Sequence, residues 1–340
     1  MTEPTNIADA ITAAQGRVAD CYTAISNKGG TLPQTQNLAN MPTAIGSIPT
    51  GGGVSTKYGA TVDNFLGNVD ANGVLQIPSN TSEDIIFTGV KGLSDNSLYG
   101  KFYINTNLEC GVSLPDLEVI SGSNALYYAF YQTHITSVSL PKLKTISGSN
   151  ALYYAFYQTH ITSLSLPELE TVSGENALYY LASGCPYLTS ASFPKLKTVS
   201  GNNGLYSLLK DTKITTISFP SLETVSGISS LQYLVQNCQL LKTAYFEKLS
   251  NVPVVPFVGA FGNCPAITDI YFNALTTTSF GTVKTQFHSM FNSSTAATSG
   301  NVNVHFPSNL ETTISGLIGY PLFGGASGRV TLLFDLTATS

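Results

Sequence analysis

Apolar and polar positions alternate in short stretches that recur along the chain about every 26 residues. In one stretch the apolar residues Ile135, Val138 and Leu140 are separated by hydroxyl residues. This alternation predicts a short strand with one buried face in each unit. A fixed period in the twenties predicts a solenoid, in which each coil buries its apolar side against the next. The stretch returns at Ile161, Leu164 and Leu166, at Leu188, Ala191 and Phe193, at Ile214, Ile217 and Phe219, and at Leu241, Ala244 and Phe246.

Two neighbouring units are almost the same sequence, because residues 115–140 and 141–166 are identical at 22 of 26 positions. Each unit opens with a proline, and successive prolines lie 26, 26, 27 and 26 residues apart. The period continues less regularly through Glu247 and Asn273. We therefore expect parallel strands stacked coil upon coil. The prolines are Pro115, Pro141, Pro167, Pro194 and Pro220.

A second apolar cluster lies before the strand stretch in each unit. Its residues have the spacing i, i+3, i+4 and i+7, which predicts a short helical turn packed behind the strand. Asn124 or Ser123 is the expected N-cap of that turn. In the first duplicated unit the cluster consists of Leu126, Ala129, Phe130 and Thr133.

The strand spacing, LxxLxL, is that of leucine-rich repeats, and the end of each unit resembles the BspA-like leucine-rich-repeat family. That family has an alanine-phenylalanine pair, a cysteine three residues later, and an apolar-Thr-Ser-apolar strand ending in proline. Here the pattern is AFYQTHITSVSLP at Ala129–Pro141, and AFGNCPAITDI at Ala260–Ile270 restores the cysteine. The resemblance covers about residues 110–310. It implies an α/β repeat solenoid, a right-handed coil of about 26-residue units with a parallel β-sheet, that serves surface recognition or adhesion.

Four segments are expected along the chain. Residues 1–50 form an N-terminal helical segment for oligomerisation or attachment, and residues 54–110 form a β-rich N-terminal cap. Residues 111–275 form the solenoid, and residues 276–340 form a degenerate last repeat and a C-terminal cap.

The N-terminal segment carries a possible coiled-coil seam over about three heptads. Its spacing of 4, 3, 4, 3 and 4 predicts a helix that assembles the chain into a homo-oligomer, of which a trimer is one form. A single amphipathic helix that folds back on the next segment is the equally weighted alternative. The seam residues are Ile7, Ile11, Ala14, Val18, Cys21 and Ile25.

The same segment resembles the short helical modules of tail fibres and other appendages of phages that infect gut bacteria. The start MTEPTNIADAITAAQ has neither the basic residues nor the apolar run of a signal peptide. We therefore expect a phage tail protein, located on the virion tail and acting outside the cell. The alternatives are a BspA-like adhesin on a bacterial cell surface and a structural spacer in an appendage.

Composition points to uncharged partners. Only 10% of residues are charged, against about 25% in an ordinary domain, and this surface suits a cell-surface glycan or a protein receptor. The net charge of −5 argues against nucleic acid, which needs a basic stripe. No stretch reaches the roughly 18 apolar residues that predict membrane insertion.

No catalytic, cofactor or metal motif is present in the sequence, so we expect no enzyme activity, no cofactor and no metal. His134 and His160 are copies of one repeat position without a second ligand type nearby. Cysteine and threonine alternate at another repeat position, which predicts a buried column of small residues without disulfides. That column contains Thr133, Thr159, Cys185, Thr212, Cys238 and Cys264.

Acidic and basic residues also alternate from unit to unit at two positions. If the units stack in register, each acid lies beside a base in the next coil, which disfavours slippage of one coil past another. One series is Asp116, Lys142, Glu168, Lys195 and Ser221, and the other is Glu118, Lys144, Glu170, Lys197 and Glu223.

Two sets of side chains are candidates for binding. Tyrosine supplies a rigid ring with a polar tip, which suits a recognition surface, although stacked rings that merely cover the coils are an equal alternative. The hydroxyl residues between the apolar strand positions are the second set, as a glycan-binding floor or as plain strand formers. The tyrosines are Tyr127, Tyr128, Tyr131, Tyr153, Tyr154, Tyr157, Tyr179 and Tyr180, and the hydroxyl residues include Thr136, Ser137, Ser139, Thr162, Ser163 and Ser165.

Overall fold

The computed structural model describes residues 56–59, 84–88, 90–252, 257–276, 290–291, 301–315 and 330–337. The chain divides into two units, Met1–Thr56 and Lys57–Ser340, and almost all described residues belong to the second. The predicted N-terminal helix and its seam lie outside the described residues.

The described chain is mostly short strands joined by turns, with one 3₁₀ turn at Ser308–Leu310 and one short helix, α1, at Glu311–Ser315. The strands are β1 Thr56–Gly59, β2 Ile85–Thr88, β3 Gly92–Leu93, β4 Gly111–Ser113, β5 Val119–Ile120, β6 Ser137–Ser139, β7 Thr145–Ile146, β8 Ser163–Ser165, β9 Thr171–Val172, β10 Ser190–Ser192, β11 Thr198–Val199, β12 Thr216–Ser218, β13 Thr224–Val225, β14 Thr243–Phe246, β15 Asp269–Phe272, β16 Val302–Pro307 and β17 Val330–Leu336.

The strands stack into a parallel solenoid of about eight turns with a spacing of about 27 residues, as in leucine-rich repeats. One line of strands runs β1-β2-β4-β6, continues as β8-β10, and ends as β12-β14-β15-β16-β17. The second line of strands is β3-β5-β7-β9-β11-β13. The register follows the repeat, since Gly111 pairs with Ser137 and Ser163 with Ser190. The predicted fold class of stacked parallel coils is therefore confirmed.

Coils begin upstream of the boundary expected at residue 111. β2 pairs in parallel with β4, and β3 pairs with β5, so residues 84–110 already have the repeat geometry. At the other end β15, β16 and β17 continue the sheet in parallel, although the register offsets, 34 residues for Asp269–Asn303 and 28 for Val302–Val330, depart from the repeat.

The predicted helical turn behind the strand is wrong. The N–H groups of Leu126, Tyr128 and Phe130 donate to the next coil, to carbonyls 2.7, 2.9 and 2.9 Å away. The N–H groups between them donate three residues back, as that of Ala129 does to Leu126. Because every second N–H leaves the coil, an α-helical i→i−4 pattern cannot form. We call this arrangement the turn ladder.

Asn124 lies in the turn ladder and is not a helix cap. Its backbone is left-handed, with φ of 55°, a conformation that asparagine tolerates better than most residues. Its side chain joins a column of amides, in which each Nδ2 donates to the Oδ1 of the preceding coil at 2.9 to 3.3 Å. The column is Asn96, Asn124, Asn150, Asn176 and Asn203.

Close approach between coils requires glycine at one repeat position. A Cβ on Gly174 would lie 2.1 Å from the carbonyl oxygen of Gly148, and the same holds one coil further, where Gly201 meets Gly174 at 2.0 Å. No side chain fits there, so these glycines set how tightly the coils stack.

The core is continuous through the described coils and contains the predicted apolar strand positions, except that Val138 and Ala191 are partly buried against it. The predicted column of small residues is confirmed, since the described cysteines are buried and free and Thr133, Thr159 and Thr212 are buried beside them.

The charge columns are in register as predicted. The ion pairs that form join each lysine to the acid one coil earlier: Lys142 to Asp116 at 2.8 Å, Lys144 to Glu118 at 3.5 Å, Lys195 to Glu168 at 2.7 Å and Lys197 to Glu170 at 3.3 Å.

Candidate recognition surfaces

The tyrosines proposed from the sequence form three columns on the turn ladder, which together we call the tyrosine face. Their rings stack face to face from coil to coil, with centroids 4.7 to 5.3 Å apart. One column is Tyr99, Tyr127, Tyr153, Tyr179 and Tyr206, the second is Tyr128, Tyr154 and Tyr180, and the third is Tyr103, Tyr131 and Tyr157.

Stacking limits what the tyrosine face can offer to a ligand. An inner ring such as that of Tyr153 has Tyr127 on one side and Tyr179 on the other, 4.8 and 4.7 Å away. Its side chain is nevertheless partly exposed. Because both ring faces are covered, the exposed part is the ring edge and the hydroxyl. The rings therefore stack on one another, which is one of the two alternatives that the sequence offered. Binding of a ligand by the ring edges stays a proposal.

The second column has an unusual backbone. Tyr128, Tyr154 and Tyr180 have φ values of 53°, 53° and 52°, in a left-handed region that bulky residues rarely occupy. Each of these residues donates its N–H to the next coil at 2.9 Å, which holds the backbone in place. The same left-handed conformation recurs at Asn124 and Gln132 of the same coil, with φ of 55° and 53°, so it is a regular feature of the turn ladder.

Several phenols of the tyrosine face have a raised pKa and resist ionisation. Burial, and then the neighbouring Tyr179 and Tyr127, raise the pKa of Tyr153 to about 12. Burial and then Tyr127 likewise raise the pKa of Tyr128. These tyrosines are therefore neutral at physiological pH, and each hydroxyl can both donate and accept a hydrogen bond. The pKa is also raised, first by burial, at Tyr127, Tyr131, Tyr154, Tyr157, Tyr179 and Tyr206.

The hydroxyl residues lie on the outward side of strands β6, β8, β10 and β12. We call this surface the hydroxyl face. Within β8, for example, Ser163 and Ser165 are exposed while Leu164 between them is buried. Ser163 pairs with Ser190 and Ser165 with Ser192, and the repeat places Ser137 and Thr216 in the first of these rows and Ser139 and Ser218 in the second.

Towards the C-terminal end the hydroxyl face gives way to aromatic and charged side chains. Tyr245 and Tyr271 stack at 4.8 Å, and Tyr271 stacks on His305 at 4.2 Å. The His305 ring lies between two carboxylates, with Nδ1 3.0 Å from Asp335 and Nε2 3.2 Å from Asp269. Burial raises the pKa of Asp269, but hydrogen bonds, the first from the Asn303 amide at 2.9 Å, outweigh it and leave that pKa lowered. The cluster ties β15, β16 and β17 together.

That cluster was missed by sequence reasoning. The strands β14 and β15 read TAYF and DIYF, and the alternation of buried and outward positions could have placed Tyr245 and Tyr271 on the outward side. Nothing in the sequence aligns Asp335 with them, because the connections there no longer follow the repeat.

No metal site is formed by the described residues, in which no group of three His, Cys, Asp or Glu side chains could hold an ion. His134 and His160 stack on each other at 4.1 Å. Among the described helices none is long and apolar enough to cross a membrane.

No protein-family model matches this chain, and no curated protein matches it. Solved structures do match. A leucine-rich repeat protein from Bacteroides ovatus is 15% identical and covers 74% of this chain and 83% of its own, with a TM-score of 0.25. A leucine-rich repeat protein from Eubacterium ventriosum is 13% identical and covers 61% of this chain and 70% of its own, with a TM-score of 0.21. The structural neighbours are thus bacterial leucine-rich repeat proteins.

Proposed function

We propose that this protein is a non-enzymatic recognition protein that binds a cell-surface glycan or protein receptor through the tyrosine face. The observation that carries the proposal is the set of stacked tyrosine columns, with rings repeating every 4.7 to 5.3 Å and with partly exposed edges. Neutral hydroxyls in fixed rows can match the donors and acceptors of an uncharged ligand at little entropic cost.

The low charge of the chain supports an uncharged ligand. Only 10% of residues are charged, and four of the lysines in the charge columns are paired with acids of the same columns. Recognition by such a surface depends on hydrogen bonds and ring edges, so binding should vary little with salt.

We further propose a phage tail or tail-fibre location, in which residues 1–50 assemble and attach the chain and the solenoid meets the host surface. The coiled-coil spacing and the resemblance to tail modules support this proposal. Several solenoids held together also strengthen weak individual contacts, because later binding events become intramolecular.

The test is binding of the full-length protein to intact cells of candidate gut-bacterial hosts and to a glycan array. The informative variant carries Tyr128→Phe, Tyr154→Phe and Tyr180→Phe, which removes three hydroxyls and keeps the stack. The matched control is Tyr245→Phe, a stacked tyrosine outside the tyrosine face. We expect saturable binding that the triple variant loses and the control keeps. Binding that is unchanged in the triple variant would place the contact elsewhere, and no binding by the parent protein would overturn the recognition function.

A further inference from the structure

The segment between the column of small residues and the first apolar residue of the next strand stretch, such as Ile214 or Leu188, has two lengths, and we call this segment the bridge. Where the column residue is threonine, the bridge is one residue, as Lys213 between Thr212 and Ile214. Where it is cysteine, the bridge is two residues, as Pro186-Tyr187 after Cys185. The other two-residue bridges are Gln239-Leu240 after Cys238 and Pro265-Ala266 after Cys264.

Bridge length is coupled to the hydrogen bond that the column residue makes. The Thr212 hydroxyl donates within its own coil, to the Leu209 carbonyl at 2.8 Å. The Cys238 thiol donates to that same carbonyl from the next coil, at 3.2 Å. The extra residue of a cysteine coil is pushed outward, which explains why Tyr187 is 53% and Leu240 49% exposed.

A groove results where the short bridge at Lys213 lies between two long ones. It has a volume of about 560 Å³ and is open to solvent, within the roughly 300–1,000 Å³ typical of ligand pockets. Its walls are Pro186 from one long bridge and Leu240 from the other. Asp211, Lys213, Asn237 and Gln239 supply its polar groups.

The carboxylate of Asp211 is exposed in this groove because of a glycine. Asp211 begins a side-chain column in which Asn237 donates to Asp211 Oδ1 at 2.7 Å and Asn263 donates to Asn237 at 2.8 Å. The preceding coil has Gly184 at this position, so the column stops there. Within the described residues neither Asp211 nor Lys213 forms an ion pair, so both charges remain available to a ligand.

Tyr187 follows the groove residue Pro186 in the chain and differs from the tyrosines of the tyrosine face. The Nζ of Lys213 lies 6.0 Å from its ring centroid, and His160 meets the ring edge to face at 5.1 Å. Its ring is not stacked between two other tyrosines, and more than half of the side chain is exposed. The apolar face of a sugar ring packs against such open surfaces, whereas the stacked columns have no open inner face.

We propose that the groove binds one residue of an uncharged saccharide. One carboxylate and one ammonium give the groove no net charge, and together with the amides they offer both acceptors and donors to sugar hydroxyls. Asp211 disfavours an anionic ligand and Lys213 a cationic one. The C–H face of the sugar packs on the apolar walls, Leu240 and Pro186. This proposal rests on the recognition function above and adds to the tyrosine face a second site with a named ligand class.

Saturation-transfer NMR on the full-length protein tests the groove with a panel of methyl glycosides of glucose, galactose, mannose and N-acetylglucosamine. We expect at least one glycoside to bind saturably. Asp211→Asn retains the acceptor for Asn237 and the left-handed backbone but removes the charge, and Leu240→Ala removes the apolar wall. Each should weaken binding at least tenfold. Ile228→Ala, which removes a side chain that is 63% exposed elsewhere, should leave it unchanged.

The two proposals fail in different ways. No glycoside binding, or saturable binding that both Asp211→Asn and Leu240→Ala leave unchanged, overturns the groove. If the parent protein binds cells and the array, and only the tyrosine variant loses this binding, the recognition function stands and the groove proposal fails. Absence of all cell and array binding overturns the recognition function.

Discussion

The hydroxyl oxygen of Thr159 and the sulfur of Cys185 lie 3.3 Å apart, and both donate to the carbonyl of Phe156, at 3.0 and 3.1 Å. The two residues occupy the same repeat position in neighbouring coils. A carbonyl has two lone pairs, so one oxygen satisfies both buried donors. The alternation of threonine and cysteine thus continues one hydrogen-bonded column and needs no disulfide.

We predict that the buried cysteines are unreactive in the folded protein. Burial raises the pKa of Cys185 and that of Cys238 to about 11, and the thiolate is the reactive form. In a Cys21→Ser background, iodoacetamide at pH 8 should label none of the four described cysteines until guanidinium is added. Labelling of the native protein at the unfolded rate would contradict the buried column.

Replacement of the inter-coil glycines should be costly. The Cβ of Gly174→Ala would lie 2.1 Å from the Gly148 carbonyl oxygen, so the coils must move apart. We expect a loss of about 3 kcal/mol in the free energy of unfolding, at the upper end of typical overpacking, measured by urea denaturation. In Gly92→Ala the new Cβ meets its nearest atom, the Val119 carbonyl oxygen, at an ordinary 3.6 Å, so this control should change stability by no more than about 1 kcal/mol. Equal losses in the two variants would argue against the close approach.

The strands, their register and the small-residue column were predictable because each depends on a repeat position that can be read from one coil to the next. The turn ladder was not. Its buried residues, such as Leu126 and Phe130, have the spacing of a helix, and that spacing cannot show that alternate N–H groups bond to the next coil. A clue did exist, because asparagine recurs at 124, 150, 176 and 203, and asparagine favours left-handed backbone.

The candidate surfaces were predictable only in part. Repetition placed the tyrosines together, but only the structure shows that their faces are covered. The groove depends on a one-residue difference in bridge length and on Gly184, and the Asp335–His305–Asp269 cluster depends on irregular connections. Such features arise where the repeat is broken, so a repeat pattern cannot predict them.

Reversal of two charges should weaken the stacked register. Lys142→Glu with Lys144→Glu places glutamates beside Asp116 and Glu118, where the lysines now pair at 2.8 and 3.5 Å. We expect a modest decrease in melting temperature at low salt that shrinks in 0.5 M NaCl, since exposed pairs are screened. The neutral variant Lys142→Gln with Lys144→Gln is the control and should lose less. An unchanged melting temperature at low salt would show that the charge columns do not stabilise the coils.

Alkaline pH should destabilise the tyrosine face. The pKa of Tyr153 is raised to about 12 from 10.0, so above pH 10 the unfolded chain releases protons before the folded chain does. Stability from this group is therefore complete below about pH 10 and decreases as pH rises towards 12. Urea denaturation between pH 9 and 11.5 measures the slope, and absorbance of tyrosinate follows ionisation. Tyr153→Phe with Tyr154→Phe should reduce the slope, whereas a slope unchanged by these substitutions would assign it to other groups.

Mild acid should destabilise the coils that carry the stacked histidines. His134 and His160 have ring centroids 4.1 Å apart, and burial and then His134 lower the pKa of His160 from 6.5, against an opposing effect of Glu109. Because the unfolded chain then binds a proton more readily than the folded chain, the stability from His160 is present above about pH 6.5 and is lost as pH falls through the lowered pKa. Melting temperature should therefore decrease between pH 7.5 and 5, and His160→Gln should remove part of that decrease. His134→Gln removes the stacked partner and should remove a smaller part, since burial of His160 remains. If both variants lose stability in acid as the parent does, the histidine stack is not the source.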